Sequence, residues 1–121
     1  MKSGPGGPFS RLIRATYFSF SGLRAAFQGE AAFRLELLIL ALVVPAAWIL
    51  TNHGAERVLL IGSWLLVIVV ELINSAIETV VDRLGTERHE LSGRAKDLGS
   101  AAVFCAIVLA VVVWIIILTA P

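Results

Sequence analysis

Residues 58–81, VLLIGSWLLVIVVELINSAIETVV, decide the fold of this chain. The run is apolar and long enough at 1.5 Å per residue to cross the roughly 30 Å hydrocarbon layer of a bilayer. Yet Glu71, Asn74 and Glu78 interrupt it, and Asp82 follows directly after its end. At about 100° per residue these four fall within an arc of roughly 80° on a helix, with Ser75 beside them. A carboxylate in a membrane helix costs a few kcal/mol or more, so it is kept where it faces a bundle interior or a water-filled site. Two on one stripe point to chemistry or ion handling.

The rest of the 121-residue chain agrees with a membrane setting. It is 58% hydrophobic and 16% charged, too apolar for an ordinary soluble domain. Three spans are expected, at about residues 32–50, 58–81 and 98–120, joined by a polar cytosolic loop at 82–97. The first carries Glu36 near its start and Pro45 inside it, which a neighbouring helix can compensate. Lys2, Arg11, Arg14, Arg24 and Arg34 precede the first span, and Arg83, Arg88, Arg94 and Lys96 follow the second, whereas the short loop between holds only Arg57. The positive-inside rule then puts the N-terminus and the long loop in the cytosol and the C-terminus outside. Cys105 is the single cysteine, so no intramolecular disulfide and no cysteine metal site is expected. The Gly/Pro-rich start lacks the apolar core of a cleavable signal.

Residues 1–8 read as a flexible tail ahead of one membrane domain, 9–121. Between Phe9 and Phe27, apolar Phe9, Leu12, Ile13, Phe20, Leu23 and Phe27 share a helical face, while Ser10, Arg11, Arg14, Ser21 and Gln28 lie elsewhere. A surface helix over 9–28, lying on the cytosolic leaflet, is the expectation. Phe18 lands on its polar side, either as a tolerated exposed aromatic or as a contact with a ligand or another subunit. Gly29 marks a bend, and Glu30 and Arg34 stand one turn apart beyond it.

Glu71 lies about 20 Å along the second span and Glu78 about 10 Å further, near the cytosolic interface. Lys96, Asp97 and Ser100, at the head of the third span, fall at a similar level. Carboxylates with Asn and Asp nearby are hard oxygen ligands of the kind Mg²⁺ takes, and Mg²⁺ is usually held by one or two carboxylates plus substrate phosphates. Lys96, Arg94 and Arg11 could offset phosphate charge, and a buried carboxylate such as Glu71 could accept a proton from a hydroxyl. The alternative is that such acids only pair with Arg or backbone between helices. His53 and His89 have no companion at metal-ligand spacing, and Trp48, Trp64 and Trp114 read as packing or interfacial anchors. There is no G-x-x-x-x-G-K-[ST] and no G-x-G-x-x-G, so no familiar soluble nucleotide fold is encoded.

Three stretches are more specific: EAAFR at Glu30 to Arg34, ELINSAIETVVDR at Glu71 to Arg83, and ELSGRAKDLGSAAV at Glu90 to Val103. Together they resemble the prokaryotic integral-membrane diacylglycerol kinase family, in order and spacing, from Arg11 through the third span. The resemblance implies an all-α homotrimeric bundle of three-span subunits with an N-terminal amphipathic surface helix, in the bacterial inner membrane. It implies transfer of the γ-phosphoryl of Mg·ATP to diacylglycerol, with sites shared between subunits and no nucleic-acid partner. By the same resemblance Glu71 matches the general base, and Glu30 and Glu78 the metal ligands. Asn74, Lys96 and Asp97 match polar positions of the catalytic and nucleotide site, supported by Asp82. Arg11 and Phe18 match nucleotide contacts, and Glu87, Arg88 and His89 the segment near the adenine. Arg11, Ser100, Glu71 and the surface-helix residues Ala15, Thr16, Tyr17, Ser19 and Phe20 match the lipid site. Phe18 replaces an expected Tyr, and Arg88 an aromatic residue.

The physics suits such an enzyme, because a diacylglycerol hydroxyl sits at headgroup level and ATP arrives from the cytosol. Phosphoryl transfer asks mainly for positioning and charge stabilisation. Small residues such as Ala76, Gly99, Ala101 and Ala102 would let helices approach closely. Two alternatives stand beside it: a kinase for another membrane alcohol such as undecaprenol, and a small proton-coupled transporter carrying its proton on Glu71. The latter usually needs internal repeats around a midplane site, and none is visible.

Overall fold

A computed structural model of the chain describes residues 6–85 and 89–121. Regular structure among them is helical: α1 at Pro8–Gly29, α2 at Ala31–Leu50, α3 at Gly54–Arg83 and α4 at Glu90–Thr119. Helices α2, α3 and α4 are each long and apolar enough to cross a membrane. The chain divides into two compact units, residues 1–31 and 32–121.

In the first unit, Gly6 (φ 125°) turns the chain in a left-handed conformation open to glycine. Pro8 then starts α1 with its φ already helical. The helix stops at Gly29, where Glu30 turns to extended backbone (φ −132°) and donates its N–H to Ala26 O at 3.0 Å. The helix thus breaks at Gly29, and α2 starts at Ala31. Phe9, Leu12, Ile13, Phe20, Leu23 and Phe27 are all exposed along α1.

In the second unit, α2 runs unbroken through Pro45. The short connection to α3 is held by its own polar groups. Thr51 Oγ1 donates to Glu56 Oε2 at 2.6 Å and accepts from the His53 N–H at 3.2 Å. Arg57 donates to Thr51 O at 3.0 Å and to Trp48 O at 3.1 Å, and its guanidinium stacks 3.8 Å from the centre of the Trp48 ring. The carbonyls left over at the end of α2 thus find donors.

Helices α3 and α4 form the packed pair. On α3 the buried residues Leu60, Ser63, Val67, Glu71, Asn74 and Val81 recur at spacings of three, four or seven, one stripe of a coiled-coil-like seam. On α4 the buried residues Gly99, Ala106 and Ala110 answer with the same spacing and almost no side chain. Val67, Ala106 and Ala110 form the core, flanked by Trp64, Val70 and Ile107. Lipid tails are as apolar as Leu, so burial in a membrane gains little from the hydrophobic effect, and close packing through small residues drives the association. Of the residues expected to permit close approach, Gly99 does so within the chain; Ala76, Ala101 and Ala102 are exposed. Trp114 Nε1 reaches across to Leu60 O at 3.1 Å, and Trp64 Nε1 to Glu36 O at 2.9 Å. Two of the three tryptophans therefore tie helix to helix by hydrogen bonds as well as by packing.

The segment 82–97 differs from the expected loop. Asp82 and Arg83 complete α3, Gly85 (φ 136°) ends it, and α4 is already under way at Glu90. His89 Nδ1 accepts the Leu91 N–H at 3.1 Å and so caps the new helix, with Glu90 complementing the dipole in its first turn. At 30 residues each, α3 and α4 are about 45 Å long, more than a bilayer core requires, so the extra polar turns of Glu90 to Asp97 extend beyond it.

Candidate functional site

The C-terminal half of the α3 stripe carries the polar side chains. Glu71 and Asn74 are buried, Glu78 is half-buried and Asp82 is exposed. The stripe therefore grades from enclosed to wet along one helix face.

The register of α3 against α4 follows from three pairs: Leu60 with Trp114, Asn74 with Gly99, and Asp82 with Lys96. The two helices are antiparallel, and their polar ends coincide. At that end Lys96 Nζ lies 2.7 Å from Asp82 Oδ1, with both side chains well exposed, so the pair is worth at most about 1 kcal/mol. Glu90 and Arg94 pair more loosely at 4.0 Å.

Asn74 is the hinge of the arrangement. Its Nδ2 donates to Glu78 Oε1 at 3.1 Å, one turn further on. Its Oδ1 is buried without a hydrogen-bond partner among the described residues. That oxygen packs on Gly99: a Cβ built there would overlap Oδ1 and come within 3.2 Å of Asn74 Cγ. A glycine inside a helix costs about 1 kcal/mol relative to Ala, so the contact supplies the reason for a glycine at this position. With Nδ2 held by Glu78, the amide turns its acceptor to α4 and its donor to the carboxylate.

The oxygen donors suit a hard cation. Among the described residues no three His, Cys, Asp or Glu side chains converge, so a closed protein cage is not formed. Mg²⁺ bound through one or two carboxylates and substrate phosphates does not need one. Glu78, partly exposed and oriented on one oxygen by Asn74, meets that requirement.

Other expected site residues lie as follows. Arg11, Ala15, Thr16, Tyr17, Phe18, Ser19 and Phe20 are exposed on α1. Thr16 and Ser19 turn their hydroxyls back to Leu12 O and Ala15 O, both at 2.9 Å, and Tyr17 meets Phe18 edge-on at 6.0 Å. Glu30 is half-buried at the end of α1, in the first unit, while Glu78 belongs to the second. His89 is the α4 cap; Asp97 and Ser100 are exposed on α4. Glu87 and Arg88 lie outside the described residues. Glu36 is a buried carboxyl on α2 to which sequence reasoning assigned no role; its signal was a lone acid within an apolar run.

Comparison with known proteins agrees with the motifs. A family model described as prokaryotic diacylglycerol kinase matches residues 17–118. A protein named diacylglycerol kinase from Escherichia coli K12 is 58% identical over 91% of this chain and 90% of its own length. Proteins of the same name from Haemophilus influenzae and Pseudomonas aeruginosa are 51% and 49% identical, over 87% and 89% of this chain and 89% and 88% of theirs.

Proposed function

The chain belongs to the prokaryotic diacylglycerol kinase family, a family of lipid kinases, and from that premise we propose that it moves the γ-phosphoryl of ATP to the free hydroxyl of diacylglycerol at the cytosolic leaflet of the bacterial inner membrane. What supports the reading most directly is the Asn74–Glu78 hydrogen bond beside the buried Glu71, on one face of α3. In this reading Glu71 accepts the hydroxyl proton as the lipid oxygen bonds to phosphorus and the bond to the departing ADP breaks. Burial beside Ile68 and Asn74 keeps bulk water from competing for that phosphoryl group.

Glu78 and Glu30 would hold a divalent cation, Mg²⁺ by the hardness of the donors, together with the phosphates of ATP. Such a cation supplies neutralisation of the charge on the phosphate oxygens. Asn74 keeps Glu78 turned toward its task, and Lys96, shared with Asp82, offers the phosphates a positive charge. Arg11, Phe18, Glu87, Arg88, His89 and Asp97 are assigned to the nucleotide, and Arg11, Ala15, Thr16, Tyr17, Ser19, Phe20 and Ser100 to the lipid.

The exposed apolar face of α1 suits a helix lying in the headgroup layer, which keeps the N-terminus cytosolic and sends the C-terminus outside, in accord with the basic residues. A homotrimer with shared sites completes the proposal, since three thin helices cannot enclose a triphosphate and a lipid by themselves.

The test is phosphatidate formation by purified protein in lipid mixed micelles with labelled ATP. Glu78→Gln should cut the rate severely and raise the Mg²⁺ concentration needed for half-maximal rate, whereas an unchanged Mg²⁺ dependence would remove Glu78 from the metal site. Undecaprenol offered in place of diacylglycerol distinguishes the two lipid alcohols.

A further inference from the structure

We propose that Gly99 on α4 is a positioning residue for the phosphoryl transfer, acting through Asn74 on Glu78. The inference rests on the reading of Glu78 as a metal ligand and adds to it the element that aims that ligand.

Three observations meet at one point. Asn74 is buried, with one side of its amide committed to Glu78 Oε1 at 3.1 Å. The other side, Oδ1, has no hydrogen-bond partner among the described residues and faces the bare Cα of Gly99. No side chain larger than hydrogen fits there, because a Cβ would overlap Oδ1 and press on Cγ. Asn is short, with only two torsions, so it cannot yield at its tip as a Lys or Met would. A methyl group at 99 must therefore rotate the amide about χ1 or χ2, or push α4 away from α3. The first response withdraws Nδ2 from Glu78; the second leaves that bond, which lies within α3, in place, and a native Mg²⁺ dependence would reveal it.

The consequence is specific to one part of the reaction. A carboxylate that loses the donor orienting it keeps its charge but samples more directions, and loss of such an outer partner typically lowers metal affinity or activity by 10–100-fold. Glu71 lies one turn earlier on α3, and the atoms nearest a Cβ at 99 all belong to Asn74. Gly99 thus acts on metal use and leaves proton acceptance alone. The orphaned oxygen fits the same account: an acceptor is left unsatisfied beside α4 in return for a donor aimed at Glu78, and only a glycine at 99 permits that trade.

The experiment compares Gly99→Ala, Asn74→Ala, the double variant, Glu78→Gln and Gly93→Ala as full-length purified protein. Rates of phosphatidate formation are measured against Mg²⁺ at saturating ATP and diacylglycerol, with helicity checked by circular dichroism. Gly99→Ala should raise the half-maximal Mg²⁺ concentration about tenfold or more, in the range typical for a lost outer partner. It should match Asn74→Ala, and the double variant should be no worse than Asn74→Ala alone. Gly93, earlier on α4, has open space where its Cβ would stand, so Gly93→Ala should behave as the native protein.

Native Mg²⁺ dependence in Gly99→Ala would overturn the inference, as would losses that add in the double variant, or the same defect in Gly93→Ala. If Gly99→Ala alone fails to fold, the double variant, from which the overlap is gone, must fold and match Asn74→Ala; if it does not, the inference is wrong. A native Mg²⁺ dependence in Glu78→Gln would instead refute the metal reading itself, which keeps the two failures apart.

Discussion

Replacing Glu71 by Gln separates chemistry from architecture, because the two respond in opposite directions. The side chain is 8% exposed, on the α3 stripe between Ile68 and Asn74 and about three turns before Asp82. Gln has the same length and nearly the same volume, so no cavity opens and no helix need move. What changes is the carboxylate, which as a proton acceptor contributes typically 10²–10⁴-fold to a rate, about 3–5 kcal/mol of barrier. An ionisable side chain deep in a span also costs about 3 kcal/mol to insert, a cost that an amide reduces. The expected result is a fall of two to four orders of magnitude in kcat, little change in the apparent KM for MgATP, and stability equal to or above native. Turnover is read by phosphatidate formation, and stability by the midpoint of unfolding in a denaturing detergent. Activity within tenfold of native would refute Glu71 as the base. A parallel loss of stability and activity would show that its carboxylate serves packing.

Two further predictions concern the scaffold. Arg57→Ala removes hydrogen bonds to Trp48 O and Thr51 O and the stacking on Trp48; it should destabilise the protein by about 1–3 kcal/mol while turnover per folded molecule stays native, as detergent unfolding combined with specific activity will check. Ala110→Leu forces three extra carbons into a seam where Ala110 is 2% exposed; overpacking of this kind costs about 1–3 kcal/mol. Its unfolding midpoint should fall, and the Mg²⁺ dependence of the folded fraction should not change.

Some elements were legible in the chain because their causes are local. The start of α1 lies in Pro8, its end at Gly29, and the polar stripe of α3 is visible as soon as 3.6-residue periodicity is applied to Glu71, Asn74, Glu78 and Asp82. The helical nature of Glu90 to Asp97 was not legible. Glycines and alternating charges read as loop, whereas the His89 cap, an i,i+4 pair between Glu90 and Arg94 and the cross-helix contact of Lys96 with Asp82 make it helix. The tryptophans were recognised as packing residues, but which carbonyls their indoles would seek depends on helix register, and register is not written in either helix alone.

The amino-acid sequence by itself determined that this is an all-helical chain with three segments able to cross a bilayer and a face of acids on the second, because hydropathy and periodicity act within a single segment. Its motifs determined the lipid-kinase family. Tertiary structure decided which helix the acidic face meets, and that meeting makes Gly99 the neighbour of Asn74 and leaves the Asn74 amide donor for Glu78. The physical reason is that two helices with small residues at their seam can approach only in the register where every side chain finds room, and room is a property of the pair.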